Sequence, residues 1–180
     1  MSTEVKENLK SIIEAIIFSA RTVVKKGELY SYFSDIEKEK IDSFISEIQD
    51  FYEKNSSLYL EEVAGGFIFK TKKEFYPYIK DFFGFKKELR FSKAALETLS
   101  LIAYKQPITL KEISYYRGTQ SSYMVKQLLE SGLIKISGRK EIPGHPLLYE
   151  TTDKFLEIFG LKSLEDLPSV EELKDLLKDE

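Results

Sequence analysis

The chain has no cysteine, no tryptophan and a single histidine among its 180 residues. Without thiols it has no disulfide framework and no thiolate metal centre. The lone imidazole, His145 in Gly144-His145-Pro146, has no second histidine to share a metal or complete a triad, so it reads as a loop residue. A phosphate-cradling loop is also missing, because Gly65-Gly66 lacks the Lys-Ser/Thr that would follow it. The neighbouring acids Glu61-Glu62 and Glu171-Glu172 read as solvated faces. Long apolar runs are absent too: the most apolar stretch, Ile12 to Ala20, is interrupted by Glu14 and Ser19, far short of the roughly 20 residues that span a bilayer. The opening MSTEVKENLK has no basic segment leading into an apolar one. These absences predict a protein with no catalytic activity, cofactor, metal or membrane association, located in the cytoplasm.

What is present is a soluble composition, 42% hydrophobic and 32% charged with a net charge of −3. The charge is unevenly spread. Residues 1–88 carry 14 basic and 16 acidic side chains, residues 89–162 carry 11 and 7, and residues 163–180 carry 2 and 7. A dedicated nucleic-acid binder has a stronger basic footprint than the middle segment offers.

Apolar spacing marks a first helix through Leu9, Ile12, Ile13, Ile16, Ile17 and Ala20, one stripe at i, i+3, i+4, i+7. A short second helix covers ELYSYF, and Ser34-Asp35 offers a break and a cap. A third helix carries Ile41, Phe44, Ile45, Ile48, Phe51 and Tyr52. Leu58 to Val63 and Phe67 to Thr71 read as strands of a hairpin turning at Gly65-Gly66. Glu74 to Phe83, rich in aromatics, is expected to form a helix from about Pro77 and to pack back on this unit. Lys86 to Arg90 is the expected linker.

The same order then repeats. Ser92 caps a helix with Ala95, Leu99, Ile102 and Ala103 inward, and Pro107 stops it. Thr109 caps a second helix with Leu110 and Ile113 inward, ended by Gly118. Ser121 or Ser122 caps a third with Met124, Val125, Leu128 and Leu129. Gly132 suits a left-handed helix end. Strands follow at Leu133 to Ile136 and Leu147 to Glu150, around a loop containing Gly138, Pro143, Gly144 and Pro146. A last helix is capped by Thr152 or Asp153 and closed by Gly160, and Val170, Leu173, Leu176 and Leu177 suggest an amphipathic tail. Three helices and a hairpin, twice over, predict an α+β, mainly α chain of two tandem winged helix-turn-helix domains. The expected boundaries are 1–88, 89–162 and an acidic tail at 163–180.

A winged helix raises the question of DNA reading, where the third helix enters the major groove. The first unit's third helix and the residues leading into it carry Glu37, Glu39, Asp42, Glu47, Asp50 and Glu53, which repel phosphate. The second unit's candidate, SSYMVKQLLES, has no arginine. Arg117, Arg139 and Lys140 are candidate DNA-backbone contacts or ordinary surface cations. The chain's 11 tyrosines and 13 phenylalanines exceed what two small cores bury, and Tyr30, Tyr32, Tyr115, Tyr116 and Tyr123 either line core edges or form interfaces.

LKSIIEAIIFSA, VAGGF, SKAALETLSLIAYKQPIT, RGTQSS and GRKEIPGHPLLYETTDKFLEIFGLKSLEDLP together resemble the segregation and condensation protein B family, in order and spacing, over nearly the whole chain to Pro168. AYKQPIT and GRKEIPGHPLLYETT are its specific strings. The resemblance implies a homodimer formed through the first domains and no enzymatic activity. It implies binding of the kleisin ScpA, which bridges an SMC ATPase, and so only indirect contact with chromosomal DNA in a nucleoid-associated complex acting in chromosome condensation and segregation. Under that reading the candidate kleisin contacts are Leu101, Tyr104, Tyr115, Tyr116 and Tyr123, and the candidate dimer contacts are Ile16, Ile17, Phe44 and Ile48. The rival reading is a winged-helix DNA-binding transcriptional regulator.

Overall fold

The computed structural model describes residues 8–84, 91–169 and 172. The chain forms two compact units, one from residues 1–86 with 160–180 and one from residues 87–159.

In the first unit, α1 (Leu9–Ser19), β1 (Val24–Lys25), α2 (Lys26–Tyr32) and α3 (Lys38–Asn55) lead into the hairpin β2 (Leu58–Val63) and β3 (Gly66–Thr71). A 3-10 turn at Lys73–Phe75 and α4 (Tyr76–Phe83) follow. The second unit repeats the order as α5 (Lys93–Lys105), β4 (Ile108–Thr109), α6 (Leu110–Arg117), α7 (Ser122–Glu130), β5 (Ile134–Arg139), β6 (Leu147–Thr151) and α8 (Asp153–Phe159). Each sheet is antiparallel with the return strand of its hairpin in the middle, β1-β3-β2 and β4-β6-β5. This is the winged helix-turn-helix topology, present twice. The two-residue strands β1 and β4 are too short to leave a periodic signal and were not expected.

Helical spacing builds the first core. Leu9, Ile13 and Ile17 of α1 and Ile41, Ile45 and Ile48 of α3 are buried together with Leu29, Phe33, Leu60 and Phe67. The expected cap at Ser34-Asp35 is displaced: α3 starts at Lys38 with Glu37 as its cap residue, whose side chain makes no capping bond. Ile36 packs against the core first, which delays the helix.

The hairpin turn also differs from expectation. Val63 pairs with Gly66, so the two turn residues are Ala64 and Gly65, both with positive φ (50° and 67°), and Gly66 is already strand. The reason is steric. A Cβ on Gly66 would lie 2.2 Å from the Val24 carbonyl oxygen and 2.8 Å from Lys25 Cα, so β1 reaches β3 only against a glycine.

α4 contains Pro77 in its first turn, but its aromatics do not reach the core as expected. It buries no residue, and Tyr78 and Phe82 are 75% and 84% exposed. Leu60 and Phe67 of the hairpin already cover the core it was expected to close. Phe51, expected in the α3 stripe, is likewise exposed.

In the second unit Ala95, Thr98, Leu99, Ile102, Ile113, Val125, Leu128, Leu133 and Ile134 are buried. Ser92 Oγ accepts from the Ala95 N–H at 3.2 Å. Thr109 and Glu112 form a reciprocal capping box on α6. Gly118 and Gly132 take left-handed conformations at helix ends. Ser121 precedes α7 as expected, but its buried hydroxyl does not cap the helix; it donates to the Thr119 carbonyl and accepts from Arg117. The glutamine of AYKQPIT binds the sheet to α5: Gln106 Oε1 accepts from both the N–H and the hydroxyl of Thr151, at 2.7 and 3.0 Å. Gly138, expected in the loop, lies within β5 beside a bulge that follows Ile136.

Residues 160–169, read from sequence as the end of the second domain and the start of a tail, cluster with the first unit. The Ala64 N–H donates to the Leu161 carbonyl at 2.8 Å, and Lys162 Nζ reaches Glu62 at 2.6 Å. The expected linker at Lys86 to Arg90 and the apolar tail positions Val170, Leu173, Leu176 and Leu177 lie outside the described residues.

Gly66→Ala is expected to cost about 3 kcal/mol by forcing β1 off β3; chemical denaturation giving wild-type stability would refute the steric account. A second expectation concerns Glu112. Lys140 and the Thr109 cap hold its carboxyl down at about 2. A depressed carboxylate stabilises above its unfolded value, so this contribution is complete above about pH 5 and lost as pH falls toward about 2. With both side chains roughly two-fifths exposed (40% and 38%), screening leaves it at about 1 kcal/mol. Denaturant titrations of wild type and Glu112→Gln should converge across that window, and parallel curves would count against the cap.

Candidate protein-interaction surfaces

The C-terminal turns of α5 and α6 carry exposed aromatic side chains of the second unit. Tyr104 and Tyr116 line a shared depression of about 330 Å³ with Lys105, Gln106, Pro107, Ile108 and Glu112. Lys105 Nζ stands 4.6 Å from the Tyr116 ring centroid, a cation–π distance. Tyr115 meets Tyr116 edge to face at 5.6 Å and is 81% exposed. The chain path explains the set, because α5 ends at Lys105 just before Pro107 and α6 starts three residues after that proline, bringing 104 and 116 to the same depression. Leu101 is half-buried on α5 and is not among the residues lining the depression. Tyr123 sits at the start of α7, 64% exposed, with its hydroxyl accepting from Gln127, and is not among the residues lining the depression. The structure thus brings Tyr104, Tyr115 and Tyr116 together and leaves Tyr123 on a separate element.

The four candidate dimer residues divide. Ile17 and Ile48 are each 1% exposed inside the monomer core, so they present no surface, and the core stripe claims both. Ile16 and Phe44 are half-buried at its margin. Ile16 lines an apolar hollow of about 450 Å³ with Val24, Leu29, Tyr32 and Glu28. Sequence reasoning missed a run of contacting rings here: Phe18 to Phe69 at 5.8 Å, Phe69 to Tyr52 at 4.7 Å and Tyr52 to Phe51 at 5.5 Å, with Phe18 and Phe51 exposed. Only a fold that sets β3 between α1 and α3 reveals it. The Tyr52 hydroxyl donates to Glu14 at 2.6 Å, which pushes its pKa up to about 12.

Two of the three candidate DNA contacts are occupied. Arg117 donates to Ser121 and pairs with Glu97, both at 3.2 Å, and its side chain is 11% exposed. It braces the helix-turn-helix. Lys140 is taken by Glu112 at 2.5 Å. Arg139 is exposed, with one guanidinium N–H donating to the His145 carbonyl within the wing. His145 is exposed in that loop. Among the described residues no group of three or more histidine or acidic side chains could hold a metal, and no helix is long and apolar enough to cross a membrane.

Comparison with known proteins is decisive at this point. The family model described as segregation and condensation complex subunit ScpB matches residues 11–170. The chain belongs to the segregation and condensation protein B family. It is 38% identical to segregation and condensation protein B of Syntrophotalea carbinolica over 172 residues, covering 95% of this chain and 86% of that one. It is also 38% identical to the Moorella thermoacetica protein of that name over 169 residues, covering 93% and 85%. Among solved structures it is similar to a dimer of the ScpB N-terminal domain complexed with a ScpA peptide, at 27% identity and a TM-score of 0.38, covering 44% of this chain and 98% of that one. Family membership makes this chain an accessory subunit of a segregation and condensation complex.

Arg117→Met should lower stability by about 1–2 kcal/mol, because Glu97 and the buried Ser121 hydroxyl lose their donor. Arg139→Ala should leave stability within about 0.5 kcal/mol. Equal losses in the two variants, measured by urea denaturation, would contradict the bracing role.

Proposed function

We propose that the protein is a non-catalytic, cytoplasmic subunit that pairs as a homodimer and captures the kleisin ScpA, and through it an SMC ATPase on the nucleoid. The ATP chemistry belongs to that ATPase, and chromosomal DNA is met indirectly. The observation that carries this reading is the tyrosine cluster of the second unit. Tyr104, Tyr115 and Tyr116 stand at a solvent-facing rim although aromatic rings gain most from burial. Tyrosine is enriched among the few residues that dominate binding energy, so such a rim suits a polypeptide with apolar anchors. Lys105 over Tyr116 adds a cation for a carboxylate on that partner. Family membership supports the same partner class. Leu101, half-buried on α5, and Tyr123, exposed on α7, are the remaining candidate contacts of this reading. For self-association, Ile16, which lines the apolar hollow of the first unit, and Phe44 at the core margin are the remaining candidates.

Capture of purified ScpA by wild type, Tyr116→Ala and Tyr123→Ala tests the reading. Loss of a central ring should weaken binding about tenfold or more, while melting moves by no more than about 2 °C because both rings are largely exposed. Unchanged capture by both variants, or tight sequence-selective duplex binding by the protein alone, would reject it in favour of a transcriptional regulator.

A further inference from the structure

The hairpin turn of the first unit has an unusual occupant. Ala64 adopts a left-handed conformation at φ 50°, which costs a residue with a Cβ about 1 kcal/mol or more, and yet it is buried. Both of its backbone groups are engaged. Its carbonyl accepts from Lys25 Nζ at 2.5 Å, and its N–H donates to Leu161 at 2.8 Å. The second bond comes from a segment almost 100 residues away in sequence, reached only after the chain has built the whole second unit.

That segment is shaped before it docks. Gly160 turns the chain at φ 68°, beside Glu61. Asp166 then accepts from the backbone N–H groups of Lys162 and Ser163 at 2.6 and 3.1 Å, closing a small loop on itself. From the loop Lys162 Nζ reaches Glu62 at 2.6 Å, while Lys26 holds the other oxygen of the same carboxylate at 2.6 Å. Glu62 is thus shared between a cation of its own unit's α2 and a cation of the returning chain, and both lower its pKa. Beside this triad, the Ala64–Leu161 backbone hydrogen bond joins the segment to the hairpin. The triad is on the surface, with Lys162 60% exposed, where ion pairs are weak and salt-sensitive.

We propose that Gly160–Leu167 is a releasable latch on the hairpin of the first unit, held by the Lys26–Glu62–Lys162 triad and the Ala64–Leu161 bond. Closed, it ties down the chain on both sides of the second unit, which is then an insertion with two tethers. Open, the chain after Phe159 no longer returns to the hairpin of the first unit. Local opening of this kind occurs where exposed, salt-sensitive contacts hold a segment, and Lys162, Leu164, Glu165 and Asp166 are exposed here. The proposal does not depend on the identity of the partner.

Lys162→Met tests it in the full chain, because it removes the latch cation and keeps the Lys26–Glu62 pair; Glu62→Gln serves as the second variant. Amide exchange at Ala64 should quicken about tenfold in both, with the core amide of Ile45 unchanged. In wild type the same acceleration should follow from raising salt from about 0.05 M to about 0.5 M, and salt should add little in Lys162→Met. Since the chain has no cysteine, a spin label on Ser163→Cys reads the position directly. It should broaden β2 and β3 signals in the wild-type background and lose that effect in Lys162→Met. Broadening retained in both variants at high salt would make the segment a fixed part of the unit, and absent broadening in wild type would mean it does not dock; either result overturns the latch.

Discussion

Both units depend on one contact: the two-residue strand just before the second helix must pair with the return strand of the hairpin. Three short helices leave their core open on one side, and a free two-stranded hairpin is marginal in water. Pairing β1 with β3, and β4 with β6, closes the core and fixes the wing in a single step. The two copies solve the closure differently. The first brings backbone against backbone and needs Gly66 to have no side chain. The second inserts Gln106, whose amide oxygen collects two donors from Thr151. With the sheet fixed, the helix ends that carry the exposed rings are fixed as well.

This changes the meaning of the family-specific strings. In AYKQPIT, Gln106 holds the sheet and Thr109 caps α6, while Tyr104 and Lys105 are its exposed residues at the depression besides Pro107. In RGTQSS, Arg117, Gly118 and Ser121 brace the turn between α6 and α7. In GRKEIPGHPLLYETT, the wing closes on itself through Lys140 N–H to Pro146 and His145 N–H to Ile142, and Thr152 accepts from Phe155 to start α8. The strings are mostly the scaffold that positions a surface, and the surface itself is a few tyrosines.

The helices and hairpins were legible because apolar spacing repeats within each element: Leu9, Ile13 and Ile17, or Ile41, Ile45 and Ile48, announce a face from sequence alone. What was not legible depends on distant partners. Gly65-Gly66 resembles a turn by composition, and only the approach of Val24 shows that the second glycine serves packing instead. Arg117 counts as a surface cation until Glu97 and Ser121 fold around it. Ile17 and Ile48 were offered as interface residues although their own stripe marks them as core. The aromatic density of α4 suggested burial, but burial needs an open core and the hairpin had already taken it. The return of Leu161 to Ala64 has no local signal at all.

The same bookkeeping of occupied and unoccupied groups bears on the choice between polypeptide and nucleic acid. Affinity for phosphate is built from cations able to shed their counterions onto it. Here Arg117 and Lys140 are committed to carboxylates inside the second unit, α3 of the first unit is lined with acids, and Arg139 alone of the three candidates keeps an exposed guanidinium. Capping α6 with Glu112 and then neutralising that carboxylate with the wing lysine uses the charge for internal rigidity. A recognition module for DNA would face the same residues outward. The groups this fold leaves at the surface of the second unit are rings with polar tips, which gain little from a phosphate chain and much from an apolar side chain that excludes water.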